Sequence, residues 1–386
     1  MPALPGSLGI AVPLLLILVA LGVGVGVGFP RTAFAADPDA DRIALAVDAL
    51  TRLEGVDLNA NVVLKERVLK VLDKTRGTAN FVRLVQHFKL ENQNPGLLEV
   101  AISQPAGESG VEAMRLLLAG GGARLAQSAL EGTNRVAASK TAEALGNTGQ
   151  KETTKLLLPL VRDPTRDSAL RRQAVRSLAR TAEGAGELLA LTRDGKLQED
   201  LRFVASSELN AARWPAIRAE AAKLLPLPPG QNASPLPPIA ELVKMPGNAA
   251  NGAAIYARQS PGCITCHVVR GQGTDFGPNL SEIGSKLGKD ALMESILDPS
   301  AGISFGFEAF NMVLKNGDEA YGLIVSETAD ELSLKAVGGI VTKLKKDEIV
   351  SRQPSKLSIM PAGLQQAMST QEFVDLVEYL ASLKKP

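Results

Sequence analysis

The sequence predicts a mainly α-helical chain, with an N-terminal α-solenoid followed by a C-terminal helical domain that carries a small inserted β-sheet or barrel. Three observations predict this arrangement. Short amphipathic helical segments recur at regular spacing before residue 226. A proline-rich stretch then interrupts the chain. Beyond it, helical periodicity returns on both sides of a run in which apolar and polar residues alternate.

The region from 36 to 225 contains a helix pair that repeats along the chain. Leu156 and Leu188, at equivalent places in two copies, lie 32 positions apart. The copies comprise residues 43–53 with 62–72, 111–118 with 134–145, 155–161 with 170–181, and 187–191 with 201–212. Such a pair cannot bury its apolar face alone and must stack on neighbours, which predicts a solenoid. The pattern resembles HEAT-type repeats, and an irregular helical bundle is the alternative. Trp214 is expected to fill a groove between the last helices.

The first 35 residues have the pattern of a signal peptide. Residues 10–29 are apolar, and Ala33-Phe34-Ala35 supplies an A-x-A cleavage pattern before Ala36. We therefore expect an exported protein, in a periplasm or an equivalent compartment. The segment before the apolar run has no Lys or Arg, and the run approaches the roughly 20 residues that span a bilayer. An uncleaved membrane anchor is the alternative.

The charge of the chain is nearly balanced. Forty-two Lys and Arg residues face 41 Asp and Glu residues. This balance argues against a role in binding nucleic acid. The length after the signal exceeds what one core usually organises, which favours more than one domain.

A proline-rich segment marks the boundary between the predicted domains. Residues 226–238 contain six prolines and no charged side chain. Proline fixes φ and removes amide donors, so this segment is expected to be an extended linker. It separates the repeats from a domain at 239–386, which is expected to fold without them.

The motif Cys263-Ile264-Thr265-Cys266-His267 contains both cysteines of the chain and one of its two histidines. C-x-x-C-H is the attachment signature of c-type haem. Each thiol can add to one vinyl group of the porphyrin, and the adjacent imidazole can ligate the iron. A thioredoxin-type redox pair, a zinc site and a plain disulfide compete with this interpretation. The first would need a βαβ setting and the second four ligands, while the third would not explain His267.

The C-terminal region is predicted to be helical at its two ends. A helix over 248–259 precedes the motif, further helical segments follow at 283–287 and 289–297, and a strong helix covers 370–384. Ser369 or Thr370 can cap the last helix. Between about 304 and 353 the period changes from helix to strand. Four or five short strands are expected there; the alternating runs are 307–314, 320–326, 331–335 and 340–344, with a turn at 315–318.

These motifs together resemble the class I cytochrome c fold. The combination of C-x-x-C-H, Gly277-Pro278-Asn279-Leu280, Leu297-Asp298-Pro299-Ser300 and Ile359-Met360-Pro361 is similar to a narrower family, the planctomycete-type C-x-x-C-H haem-binding domain. The resemblance covers about 247–385. It implies that Cys263 and Cys266 anchor one haem c covalently and that His267 ligates its iron. It also implies that the Pro278 carbonyl accepts a hydrogen bond from the His267 ring, and that Gly252 and Tyr256 meet the Tyr379 region where the terminal helices cross.

A second axial ligand is expected to be a methionine. The domain offers Met245, Met293, Met312, Met360 and Met368. Met360 lies in an irregular stretch directly before a proline, which can hold its thioether toward the iron. Met293 and Met312 fall in the apolar registers of a helix and a strand. Met360 is therefore the predicted ligand, with Met368 and an open or water-bound site as the alternatives.

The expected function is single-electron transfer by an exported monohaem cytochrome, an electron carrier rather than an enzyme. A separate redox partner, a dehydrogenase or another cytochrome, is expected because the chain has no flavin or nicotinamide fingerprint. Two alternatives remain. One is a haem enzyme or a gas or redox sensor with an open distal site. The other is a repeat scaffold in which haem is structural.

Overall fold

The computed structural model describes residues 38–226, 236–258 and 261–385. The predicted signal peptide at 1–35 and most of the predicted linker at 226–238 lie outside the described residues. The chain divides into a unit that ends at Arg42 and a unit from Ile43 to Pro386. Of the first unit, only the residues that begin the first helix are described.

Twelve helices precede the proline-rich segment in the described residues. They are α1 (Pro38–Thr51), α2 (Val62–Lys74), α3 (Ala79–Phe88), α4 (Asn94–Ser103), α5 (Glu108–Ala119), α6 (Ala123–Glu131), α7 (Arg135–Asn147), α8 (Thr154–Arg162), α9 (Ser168–Leu178), α10 (Ala182–Arg193), α11 (Glu199–Asn210) and α12 (Pro215–Leu224). Side chains of Asn61, Asn134, Asp167 and Thr181 cap the first turns of α2, α7, α9 and α10.

Eight of these helices stack in two rows. In one row α3, α5, α7, α9 and α11 pack in succession, and in the other α8, α10 and α12 do so. One continuous apolar core runs between the rows, with Leu145, Leu178, Leu188 and Leu209 fully buried. The helices of these rows thus bury apolar side chains on their neighbours, as the periodicity predicted. We call α2–α12 the arm.

Four α-helices follow the proline-rich segment in the described residues. They are α13 (Ile239–Leu242), α14 (Ala249–Tyr256), α15 (Lys289–Leu297) and α16 (Thr370–Ser382). The helix α14 is shorter than the expected 248–259. It begins one residue later, because Asn248 is its N-cap, and it ends at Tyr256. Ser369 and Glu372 form a capping box at the start of α16, which satisfies two otherwise unpaired amides.

The helices α14 and α16 cross at close range. A Cβ on Gly252 would overlap the backbone carbonyl of Asp375, so only glycine permits this approach. Asp375, only 3 % exposed, accepts hydrogen bonds from the amide of Asn248 (2.8 Å) and the side chain of Asn251 (2.7 Å). The Tyr256 and Tyr379 ring centroids lie 5.8 Å apart at the same crossing. The expected contact of Gly252 and Tyr256 with the Tyr379 region is confirmed.

The inserted segment forms an open, five-stranded antiparallel sheet. Its strands are β3 (Ala309–Leu314), β4 (Glu319–Glu327), β5 (Glu331–Lys335), β6 (Val341–Lys345) and β7 (Ile349–Pro354), after a short hairpin of β1 (Val268–Val269) and β2 (Gln272–Gly273). The spatial order of the five is β6-β5-β4-β3-β7. Phe310 near the start of the sheet is the register partner of Pro354 at its end. The strand β7 was not expected from the sequence.

Polar contacts join the arm to this sheet. The backbone amide of Lys151 donates to Asp318 Oδ1 (3.1 Å), and its Nζ donates to the carbonyl of Asn316 (2.9 Å). Arg213 and Trp214, in the loop before α12, both donate to Glu319 Oε2, at 2.9 and 2.8 Å. Trp214 packs against the helical core, as expected, while its indole N–H reaches the sheet.

Candidate functional site

The C-x-x-C-H residues form a tight turn at the wall of a cavity. Gly262 adopts a positive φ of 83°, and a short 3-10 turn spans Cys263–Thr265. The amide of His267 donates to the Cys263 carbonyl (2.9 Å), which closes the turn. Both cysteines are half-buried free thiols that line the cavity. The sequence spacing therefore places two thiols and one imidazole against the same space.

The imidazole of His267 is fixed by the segment that follows β2. Its Nδ1 lies 2.8 Å from the carbonyl oxygen of Pro278. Because a carbonyl can only accept, Nδ1 carries the proton and Nε2 retains the lone pair that a metal needs. A Cβ on Gly277 would lie 2.6 Å from His267 Cε1, so the backbone presses directly on the ring. The Tyr256 hydroxyl donates to the His267 carbonyl (2.6 Å) and ties the motif to α14.

The site disfavours charge on its own side chains. Burial lowers the pKa of His267, against the opposing effect of the Pro278 carbonyl. Burial also raises the pKa of the Cys263 thiol to about 11 and that of Tyr256 to about 12. The imidazole is thus held neutral, the form in which it binds a metal.

The cavity is open to solvent and mostly apolar. It contains about 1430 Å³ of empty space, including its opening to solvent. Its walls come from the motif, from α15 and α16, from the loops at 299–307 and 358–364, and from one strand of the sheet. Apolar lining side chains include Phe276, Leu280, Leu292, Phe307, Leu323, Leu376 and Leu380. This is the lining expected around a flat, hydrophobic ligand.

Two of the five candidate methionines line the cavity, Met360 and Met368. Met360 is half-buried in an irregular loop, where its amide donates to the hydroxyl of Ser358 (3.2 Å). Met368 is fully buried and belongs to the core between the helices. Met293 and Met312 are also core residues, each 1 % exposed. Burial thus separates Met360, which is half-buried, from Met293, Met312 and Met368, which are almost fully buried.

These residues fit a covalently held haem. Two thiols, a neutral imidazole with an oriented free nitrogen, and a thioether all border one apolar cavity. The sequence did not predict that Leu323 of β4 would form part of the wall. Its strand pattern gave an alternation but did not show which face would meet the helices.

A small helical domain whose terminal helices cross beside a C-x-x-C-H turn defines the class of c-type cytochromes. Residues 249–330 match the family model for cytochrome c, and this part of the chain is a cytochrome c domain. The matched range contains Cys263, Cys266, His267 and Pro278 and ends before Met360. A cytochrome c domain points to haem-based electron transfer. The comparison with curated proteins found no match to this chain.

None of the helices in the described residues has the length and apolar character needed to cross a membrane. The same residues contain no group of three or more His, Cys, Asp or Glu side chains that could hold a metal ion.

Proposed function

We propose that the protein is an exported monohaem c-type cytochrome that carries single electrons for a separate redox partner, such as a dehydrogenase or another cytochrome. One observation carries the proposal: both thiols and an imidazole with an oriented, unprotonated nitrogen face one apolar cavity. Bound haem supplies an iron that changes oxidation state by one electron without making or breaking bonds.

Different residues of the chain have different roles in holding the haem. Cys263 and Cys266 would anchor it through thioether bonds. His267 would ligate the iron, with its ring direction set by Pro278 and Gly277. Met360 would be the second ligand, because it is half-buried and lies in an irregular loop that lines the cavity. The apolar walls exclude water, which limits reorganisation when the charge changes.

The wider organisation is part of the proposal. Residues 1–35 act as a signal peptide, residues 36–225 form HEAT-like repeats, and residues 226–238 link them to the haem domain. The order of motifs is similar to that of the planctomycete-type family. The arm serves to bring the haem domain to a partner.

The test is to produce the full chain in a compartment that attaches haem and to compare it with a Cys263→Ala/Cys266→Ala variant. Haem should survive acid–acetone extraction in the wild-type protein and be lost from the variant. Haem that remains covalently bound in the variant would refute the assignment. A low-spin spectrum with thioether ligation supports electron transfer, whereas a high-spin spectrum would favour an enzyme or a sensor.

A further inference from the structure

The strand β4 connects the arm to the cavity along one of its faces. Glu319, Tyr321 and Leu323 lie on this face, because side chains of a strand alternate between its two faces. Glu319 accepts from Arg213 and Trp214 of the arm, and Leu323, 5 % exposed, lines the cavity. Four residues of extended chain, about 13 Å, thus separate the arm contact from the cavity wall.

Arg213 is held firmly at the arm end of this face. Its side chain is 13 % exposed and forms an ion pair with Glu319 at 2.9 Å. Its guanidinium lies 4.5 Å from the centre of the Trp214 ring and 5.2 Å from that of Tyr321. A cation that is buried, paired and stacked on two rings is well ordered, and its loss would free Tyr321 on the strand.

The loop that carries Met360 is attached to the other end of the same pair of strands. Ala309, the first residue of β3, is the register partner of Leu323. The amide of Ser355, directly after β7, donates to the carbonyl of Ala309 (2.7 Å). The Ser355 hydroxyl also exchanges hydrogen bonds with Leu357 (3.0 and 3.1 Å). Burial raises the pKa of Tyr321, and the side chain of Ser355 opposes this rise. The start of the loop therefore rests on the strand residues that the arm holds.

We propose that Arg213 is a positioning residue for the haem site: through Tyr321 and the β3–β4 pair, the arm holds the loop at 355–361 and so sets the position of Met360. The inference rests on the proposed function for its meaning at the iron, but the mechanical link concerns only the protein chain. It makes the arm part of the redox site as well as a docking element.

The test is hydrogen–deuterium exchange of the full chain, with and without haem, for wild type and Arg213→Ala. Amides of the loop at 355–361 should exchange about five- to tenfold faster in the variant, because the loss of such contacts lowers the local opening energy. The arm helices α8 and α10 should exchange at the wild-type rate. In the haem-loaded protein the reduction potential should fall, since a loosened thioether stabilises the ferrous form less.

Arg171→Ala is the matched control. The Arg171 side chain is 4 % exposed and pairs with Asp200 (2.8 Å) entirely within the arm. Its loss should destabilise the arm and leave both the loop at 355–361 and the reduction potential unchanged. If Arg171→Ala loosens the loop as much as Arg213→Ala does, the effect is general and the proposal is wrong.

Tyr321→Phe covers the case in which Arg213→Ala does not fold. It removes only the hydroxyl that faces Ser355, and Tyr379→Phe removes a hydroxyl from α16 as its control. Faster loop exchange in Tyr321→Phe alone supports the proposal, and unchanged exchange in a folded Tyr321→Phe variant overturns it. Exchange in the haem-free chain reports on the link even if no haem is ever attached, so the two proposals fail separately.

Discussion

His267 has little freedom at any of its polar groups. Its ring Nδ1 donates a hydrogen bond to the Pro278 carbonyl, and its own carbonyl accepts one from the Tyr256 hydroxyl. Its amide donates to the Cys263 carbonyl. The imidazole direction is therefore set before any metal arrives, which lowers the entropic cost of binding. The close approach of Gly277 to the ring is the most sensitive of these contacts.

Gly277→Ala should disturb the ring of His267. The new methyl group would lie 2.6 Å from Cε1, so either the imidazole turns or the backbone moves away and weakens the bond to Pro278. We expect a shifted or heterogeneous haem absorption spectrum and a lower haem content. Gly302→Ala is the control at the same cavity, because its Cβ would meet nothing within 4 Å. Equal effects of the two substitutions would exclude this explanation.

Replacing either of the two methionines that line the cavity should have a different effect: one on the iron, the other on stability. Met360→Ala should lower the reduction potential and convert the iron to a high-spin or water-bound form, with little loss of stability. Met368→Ala empties a fully buried core position and should lower the free energy of unfolding by about 2–5 kcal/mol. Optical spectra, potentiometry and denaturant unfolding separate the two. A spectral change confined to Met368→Ala would show that Met368 is the ligand.

Individual site residues could be predicted from the sequence where the chemistry requires particular residue types. The C-x-x-C-H spacing indicated the thiols and the imidazole directly, and the resemblance supplied the Pro278 carbonyl. The irregular stretch and the proline after Met360 favoured it over Met368 as the predicted ligand. The structure adds a difference in burial: Met368 is fully buried, whereas Met360 is half-buried. The role of Gly277 had no separate sequence signal, because its importance depends on where the ring of His267 lies.

Among the secondary-structure elements, α14 and α16 form the contact on which the packing of the helical part of the domain most depends. Gly252 allows the approach, and the buried Asp375 fastens the start of α14 to the middle of α16. Gln371 adds a third hydrogen bond to this carboxylate, from its Nε2 to Oδ1 at 2.9 Å. The crossing thus combines a steric requirement with a polar one, and the two can be tested separately.

Gly252→Ala should separate the two helices. The added methyl would overlap the Asp375 carbonyl and lie 2.7 Å from Tyr379 Cβ, so the backbones must move apart. We expect a loss of about 1–3 kcal/mol or more in the free energy of unfolding, measured by denaturant titration. Gly186→Ala in α10 is the control, since its Cβ would meet nothing within 4 Å, and it should be neutral or stabilising. A neutral Gly252→Ala would contradict the close crossing.

Asp375 should make the stability of the domain depend on pH in the acid range. Burial tends to raise its pKa, but hydrogen bonds from Asn251, Gln371 and the Asn248 amide outweigh it, and the pKa lies below the usual 3.8. A lowered pKa in the folded state stabilises the fold above the unfolded value and loses that effect as pH falls through the folded value. The stability difference between wild type and Asp375→Asn should therefore be largest above about pH 4 and shrink below it. A difference that grows on acidification would show that the pKa is raised instead.

The strands illustrate what an element needs in order to be predicted. The expected strands of the insert show alternating apolar and polar residues, and the structure confirms them with shifts of a few residues at their ends. The strand β7 was not named because its residues do not alternate: two apolar residues precede three polar ones, and most of the strand is exposed. Its pairing with β3 makes it a strand. The contacts of Lys151 and Arg213 with the sheet were also missed. Charged residues more than 100 positions apart leave no local pattern.

For the molecule as a whole, the contacts between arm and sheet modify the expectation that the halves are independent. We predict that cleavage at a protease site engineered into 227–235 leaves the two fragments associated, because Lys151 and Arg213 still hold the turn at 316–318 and Glu319. Size-exclusion chromatography of the cut protein should give a single peak at moderate salt. Cut Arg213→Ala/Asp318→Ala protein should separate into two. Two peaks from the cut wild-type chain would favour fully independent domains.

The neighbouring positions of β3 and β7 have a consequence for the path of the chain between the two proposed iron ligands. His267 and Met360 are distant in sequence, and an unstructured connection of that length would add a loop-closure cost to every binding event. Because Phe310 and Pro354 are register partners on adjacent strands, the chain leaves the sheet beside the point where it entered. The insert therefore adds little to the entropic cost of closing the loop between the two ligands, however many residues it contains. Residues can therefore be added to the insert at the exposed turn 328–330, between β4 and β5, while the span that Met360 must close stays the same.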